Sequence, residues 1–409
     1  MRRFKHRTPG RSRGFSLLLV FLATPLTLWA QSFKLSGFIK AEYLYDTRQV
    51  AAAREGEFHL FPLPRSEATE TDNFGAFVFF SRLRLNIGEL PQALGAQVTG
   101  YFEADFFGPN NGLESTFRLR RGFVRLIWDQ AELLFGQEWS PLFTLAAFPR
   151  TVATTTGAPF QPFARQPQIR ATLKGQGVRF IGALAWQRDA FRDISFNGIS
   201  GVKQQQMAAL PAVHAHLQLL GQRGSVIGAG TYLKSLRPVA TGDRFFAWAA
   251  QAYFTLAGKN AMLRGKVTYG GDLTDHLMTG GYVYAPSAQR QGDYYAGAFK
   301  PLQVLSGWID IDGTGQVAPG LFVGYLVNQG ANGDLDGPVM ATAVRGPNIK
   351  QLWRLAPRLN LNHGAVRFAF ELEITSAAYA RRFDARYKPI GDTETVTNVR
   401  GNFTVFLFF

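Results

Sequence analysis

Cysteine is absent from all 409 residues, which excludes disulfides, thiol catalysis and thiolate metal sites. Long apolar runs are scarce too. The longest covers residues 15–30 and is interrupted by Pro25, and no later run approaches the roughly 18 residues that a spanning helix needs. A helical membrane bundle is thereby excluded. Charged residues make up only 18%, with 44 Lys and Arg against 29 Asp and Glu. Histidine is limited to His6, His59, His214, His216, His276 and His363. No serine and carboxylate can be placed beside any of them from the sequence, so a Ser-His-acid constellation is not legible.

What is present is alternation. In 33–43, Phe33, Leu35, Ile39 and Tyr43 fall on one face, with Lys34, Ser36, Lys40 and Glu42 on the other. The same pattern puts Leu83, Leu85 and Ile87 opposite Arg82, Arg84 and Asn86. Phe368, Phe370, Leu372 and Ile374 oppose Arg367, Glu371 and Glu373. The stretch 401–409 places Phe403, Val405, Leu407 and Phe409 on one face and ends on an aromatic. An uncovered apolar strand exposes greasy area and unpaired backbone in water. A closed barrel in lipid removes both problems. This ending also resembles the terminal-Phe signal of bacterial outer-membrane barrels.

Residues 1–30 read as a secretory leader: six cations without an acid, an apolar run over 15–22, then Leu28-Trp29-Ala30, with cleavage expected before Gln31. Without those cations the formal +15 falls to +9 for a mature chain 31–409. For an exported protein the basic excess points to anionic solutes rather than nucleic acid. Tight turns near residues 128–130, 174–177, 257–260 and 361–364 alternate with long connections, including 46–73, 140–164, 272–297 and 376–395. That asymmetry predicts an all-β transmembrane antiparallel barrel of about sixteen strands, with short periplasmic turns and long extracellular loops.

The third long connection, 140–164, is rich in Thr, Ala and Pro, and Arg150 is its only charge after the strand ends. A loop this apolar is expected to fold into the lumen. Basic residues surround it. The run Arg118-Leu119-Arg120-Arg121-Gly122-Phe123-Val124-Arg125 precedes it, and Arg165 and Arg170 follow. Strict alternation cannot turn Arg118, Arg120, Arg121 and Arg125 inward together. An arginine facing lipid at the midplane costs roughly 2–4 kcal/mol, so a bulge or an interfacial position is expected. Inward arginines favour anions. The bland alternative is that they pair with Glu103, Asp105, Glu371 and Glu373 and only stiffen the wall.

The turn Gly136-Gln137-Glu138-Trp139-Ser140, with the Arg-rich strand before it and Arg165-Gln166-Pro167-Gln168-Ile169-Arg170 after it, resembles the DcaP-type trimeric outer-membrane porins. The resemblance spans about residues 117–188 and is architectural elsewhere. It implies a sixteen-stranded homotrimer in outer-membrane lipid, passing small and often dicarboxylate anions. The chain departs from that family in reading Arg120-Arg121-Gly122-Phe123 where Arg-His-Ala-Tyr is more typical, and in lacking an N-terminal coiled coil. The expected pore-lining set is Arg82, Arg84, Arg118, Arg120, Arg150, Arg165, Arg170 and Arg354, with no catalytic residue, metal or cofactor. The competing reading is a barrel enzyme of phospholipase or protease type. His214 and His216 share a strand face and are expected to line the lumen. Asn332-Gly333-Asp334-Leu335-Asp336-Gly337 starts like a calcium loop but has Ala343 where the twelfth-position Glu belongs.

Overall fold

The computed structural model describes residues 31–188, 194–287 and 294–409; the expected leader, 1–30, lies outside them. The described residues form a closed antiparallel barrel of sixteen staves. These are β1 (Ser32–Asp46), β2 (Arg82–Gly88, continued upward by Asn73–Phe77), β3 (Gln97–Asp105), β4 (Arg118–Ile127), β5 (Ala131–Trp139) and β6 (Arg165–Lys174). Then come β7 (Val178–Ala185), β8 (Ala212–Leu220), β9 (Val226–Leu236), β10 (Phe245–Ala257) and β11 (Ala261–Gly271). The last five are β12 (Phe299–Gly313), β13 (Val317–Ala331), β14 (Ile349–His363), β15 (Val366–Phe383) and β16 (Pro389–Phe408).

Each stave pairs with the next. The seam closes where β1 pairs β16, from Phe38 opposite Phe408 to Asp46 opposite Arg400. The main chains of Gly37 and Phe409 add two further hydrogen bonds, 2.8 and 3.3 Å. Closure leaves no free edge, which lipid could not hydrate. The alternation works as the sequence predicts. Phe33, Leu35, Ile39 and Tyr43 are exposed on the outer wall, whereas Lys40 and Glu42 are buried inside. The outward faces of the other staves carry Leu, Phe, Ile and Val, giving the apolar belt of a membrane barrel.

One expectation is corrected. The span 376–395 is not a long loop: β15 runs to Phe383, β16 starts at Pro389, and residues 384–388 make the whole connection. Its Thr and Glu residues sit on strands that rise beyond the membrane belt, so composition alone read them as loop. Stave height accordingly varies around the barrel. Staves β3 to β7 have 9, 10, 9, 10 and 8 residues. Staves β12 to β16 have 15, 15, 15, 18 and 20.

The lumen holds a second core. The third loop (140–164) does fold inward and contributes Leu142, Phe143, Phe160 and Phe163. The first loop (47–72) also folds in, through a hairpin of Val50–Ala53 and Phe58–Pro62, and adds Phe58, Leu60 and Phe61. The sixth loop supplies Leu273, Leu277 and Met278, and the wall supplies Trp308 and Phe322.

Candidate functional site: the lumen around the third loop

The short motif that opens the third loop assembles the site. Gly136 has φ +135°, and a Cβ there would lie 2.3 Å from the carbonyl oxygen of Gly122, so only glycine lets β5 approach β4 this closely. The adjacent β3–β4 ladder slips by one residue between Glu103 and Ala104. That bulge resolves the parity question. Arg118 and Arg120 point inward above it, Arg121 and Arg125 point inward below it, and Leu119 and Val124 face lipid. Gln137 donates its amide to the Arg120 carbonyl at the bulge, 2.8 Å away. Glu138 takes the Arg121 guanidinium with both oxygens at 2.6 Å. Trp139 stacks on Phe143 with ring centroids 3.9 Å apart. Ser140 Oγ lies 2.9 Å from His276 Nε2 and joins the third loop to the sixth.

The arginines of β2 and β4 form a ladder around two carboxylates. Arg120, 1% exposed, spans Glu103 (2.9 Å) and Asp105 (2.5 Å). Arg118 lies 2.7 Å from Asp105, and Arg84 lies 3.2 Å from Glu103. Arg82 is 3.8 Å from the same Glu103 and rests over Phe80 and Phe38, 4.4 and 5.0 Å from the ring centroids. On β6, Arg165 lies over Trp139 at 4.9 Å, and Arg170 donates to Gln168 and to the Trp139 carbonyl. Thus Arg82, Arg84, Arg118, Arg120, Arg165 and Arg170 share one side of the lumen. Arg354 does not join them. From β14 it lies 3.1 Å from Glu373 and donates to the Leu60 and Ala158 carbonyls, pinning the first and third loops. Glu371 pairs with no arginine of the ladder; its carboxylate accepts the Val152 and Ala153 amides at 2.9 and 2.8 Å.

The rest of the third loop is fastened mainly to the tall side. Gln251 and Thr255 of β10 reach Thr144 and the Ala146 carbonyl, each at 2.7 Å. Lys266 of β11 donates to the carbonyls of Leu142 and Phe143. Ser306 and Trp308 of β12 hold Phe160 and Gln161. In the first loop, Glu57 is buried beside Thr154, which also donates to Glu42. Burial, and then the neighbouring Glu42, push the Glu57 carboxyl well above the usual carboxylate range. Burial likewise lowers the Arg150 guanidinium, and the nearby Arg264 adds to this.

Open space remains on both sides of this plug. A cavity of about 490 Å³ below the loop is lined by Lys40, Arg82, Arg150, Arg264 and Arg367, with Asp312 its one acid among the described residues. A second of about 380 Å³ is lined by Arg121, Arg125, Arg170, Lys174 and Arg179, with Glu132 and Glu138. An outer one of about 500 Å³ carries Arg54 and Arg345 and, among the described residues, no acid. These three share no lining residue.

Three arrangements lay beyond sequence reasoning. The first loop's insertion had no signal beyond the apolar run Phe58–Pro62. The bulge was anticipated only as a need. The neighbours of His276 come from distant sequence: Ser140, and Tyr232 and Lys234, which hold the adjacent Asp275 at 2.6 and 3.0 Å. His214 and His216 do face inward, His214 stacking on Tyr232 at 4.6 Å. Among the described residues no group of three His, Asp or Glu is arranged to hold a metal. Asp336 of the calcium-like turn lies 3.3 Å from Lys300.

No protein-family model matches the chain, and no curated protein matches it in sequence. Solved structures match it in fold. The outer-membrane channel DcaP of Acinetobacter baumannii superposes with a TM-score of 0.71 at 15% identity, over 93% of this chain and 97% of that one. The fold is that of the outer-membrane porins. The anion-selective porin of Comamonas acidovorans matches with a TM-score of 0.57 at 11% identity, over 93% of this chain and 100% of its own. OmpT of Vibrio cholerae matches with 0.55 at 7%, over 93% and 98%. With its lipid-facing belt, a barrel of this fold belongs in a bacterial outer membrane.

Proposed function

We propose that the chain is a passive, anion-preferring channel for small hydrophilic solutes, carboxylates among them, and that it works as a homotrimer exported by its leader. The observation that carries the reading is the sign of the lumen: in each of the three cavities cations outnumber acids. Fixed charge in a narrow, low-dielectric-walled passage focuses its field on the permeating ion. A barrier difference of only about 1.4 kcal/mol gives a tenfold bias. The pairing in the ladder moves the weight of the argument. Arg118 and Arg120 are largely neutralised by Asp105 and Glu103, so the bias rests on Arg82, Arg150, Arg170 and Arg367. Among solved structures of this fold, one is described as anion-selective and another as a trimer form. Staves β3 to β6 barely reach the roughly nine to eleven residues that cross lipid and β7 falls short of them, and a neighbouring copy would cover that low side. Reversal potentials of the purified protein in a planar bilayer under a potassium chloride gradient test the reading. Chloride preference is expected, and potassium preference overturns it.

A second reading rests on the neighbours of His276. Ser140 Oγ is 2.9 Å from Nε2 and Asp275 Oδ1 is 3.0 Å from Nδ1, the residue types of a hydrolase relay, although Nδ1 makes no hydrogen bond among the described residues. All three side chains are buried, and the arrangement serves equally to lock the third loop to the sixth. Covalent labelling of Ser140 by a fluorophosphonate would establish an enzyme. An unlabelled, conducting protein would dismiss it.

A further inference from the structure

The cavity below the third loop has more cationic charge than its own wall can balance. Lys40 is satisfied: Glu42 lies 2.7 Å from it, and it donates to the Val152 carbonyl and the Thr154 hydroxyl. Arg264 has Asp310 at 3.5 Å and Asp312 at 3.8 Å. Three guanidiniums remain. Arg82 has only Glu103, which also serves Arg84, Arg120 and Arg121. Its Nε and Nη2 are buried without a hydrogen-bond partner among the described residues. The Arg150 side chain has neither ion pair nor hydrogen bond among them, and Arg367 has no ion pair, only a bond from Nε to Asn362.

Each of the three lies over a phenylalanine: Arg82 on Phe80, Arg150 on Phe148 at 4.3 Å, Arg367 on Phe408 at 5.3 Å. Stacking occupies the flat face of a guanidinium and leaves its in-plane N–H donors available. The rings therefore hold the cations in place without consuming the groups that grip an oxyanion. Thr151, Thr314 and Asn360 add neutral donors to the same wall. Thr314 belongs to the short turn between β12 and β13, so the cavity opens toward the rim of short turns, the periplasmic one.

Resting on the channel reading above, we propose that this cavity is a binding site for a compact, multiply charged oxyanion of the phosphate type, such as pyrophosphate or a small phosphate monoester. The unpaired Arg150 and Arg367, with Arg82 adding the charge that its shared Glu103 leaves over, are balanced by two or three negative charges. Donors contributed by β2, the third loop and β15 suit a tetrahedral group, whose oxygens point in several directions, better than a planar carboxylate with two. A volume of about 490 Å³ admits a solute of that size and no large polyanion.

The test is block of chloride current through the full-length protein in planar bilayers. Pyrophosphate, succinate and acetate are compared at matched ionic strength. Pyrophosphate should half-block at a concentration at least tenfold below either carboxylate. Replacing Arg150→Gln together with Arg367→Gln should raise its half-blocking concentration at least tenfold, with the heat-modifiable folded band retained. The pair Arg150→Lys and Arg367→Lys, which keeps the charge but not the fork, should lie between. If the double glutamine variant does not fold, Arg150→Gln alone, in the loop, should still weaken block severalfold. Equal block by succinate and pyrophosphate, or a glutamine variant blocked like the parent, overturns the site while anion preference stands. A potassium-selective parent overturns the channel reading and this site with it.

Discussion

The low side of the barrel and the tall side spend their polar groups differently. On β2 to β6 the inner wall is an arginine–carboxylate ladder whose members mostly bind one another, as Arg120 does with Glu103 and Asp105. On β10 to β15 the inner wall is apolar in its upper part, and many of its polar groups reach across to the third loop, as Glu371 does with Val152 and Ala153, while Arg264 and Arg358 pair with Asp310 and Asp312 nearer the short turns. The same residue types stiffen a wall in one place and hold a plug in the other. The difference teaches that a lumenal charge cannot be valued by its sign alone. It must be set against what already neutralises it.

Breaking one member on each side should separate the two roles. Arg120→Met leaves Glu103 and Asp105 buried around a missing cation. Arg118 still holds Asp105, and Arg84 and Arg121 still hold Glu103, so the loss is that of two charge-assisted hydrogen bonds, roughly 1.5–3 kcal/mol each, read as a lower unfolding midpoint of the barrel in guanidinium. An unchanged midpoint would show that the ladder is not structural. Glu371→Ala removes two buried hydrogen bonds of roughly 0.5–1.5 kcal/mol each, but only from a loop. The barrel should stay folded while single-channel current becomes noisy and residues 151–159 become open to protease. Global unfolding would erase the contrast between the two sides.

Glu57 sharpens the comparison in the first loop. Its folded pKa is raised, so folding favours the neutral acid. The docked state then binds more protons than the unfolded one, and stability falls as pH rises above about 4.3, the ordinary glutamate value. Glu57→Gln keeps the neutral shape at every pH. It should raise the melting midpoint at pH 8, by up to about 1–3 kcal/mol in stability, and change little at pH 4. An equal gain at both pH values would mean that the carboxyl is not held neutral.

Much of this was legible in sequence, for a physical reason. A stave in lipid must alternate, so Phe33, Leu35, Ile39 and Tyr43 announced their face, and so did Arg82 and Arg84. The third loop was legible because 140–164 is too apolar for a surface loop. The inward turn of both Arg120 and Arg121 was not, because a bulge adds one residue to one strand without altering either strand's composition. The tall hairpin over 376–395 was misread because its strands lose their alternation there: Ser376 to Ala380 are buried on both faces, and Asp392 to Thr395 are largely exposed on both. Ser140 and His276 meet only through tertiary packing across 136 positions, which no local pattern encodes.

The seam between β1 and β16 has a consequence for how the molecule is made. Gly37 bonds to Phe409, so the contact that closes the ring joins the two most distant parts of the described chain. The thermodynamic cost of so large a closure is modest, since each doubling of loop length adds only about 0.6 kcal/mol. The kinetic cost is another matter, because non-local pairings form slowly and expose unpaired edges meanwhile. Until residues 401–409 emerge, β1 has no second partner. A ring built this way cannot mature stave by stave during synthesis. Its first strand must wait, unpaired on one edge, for its last.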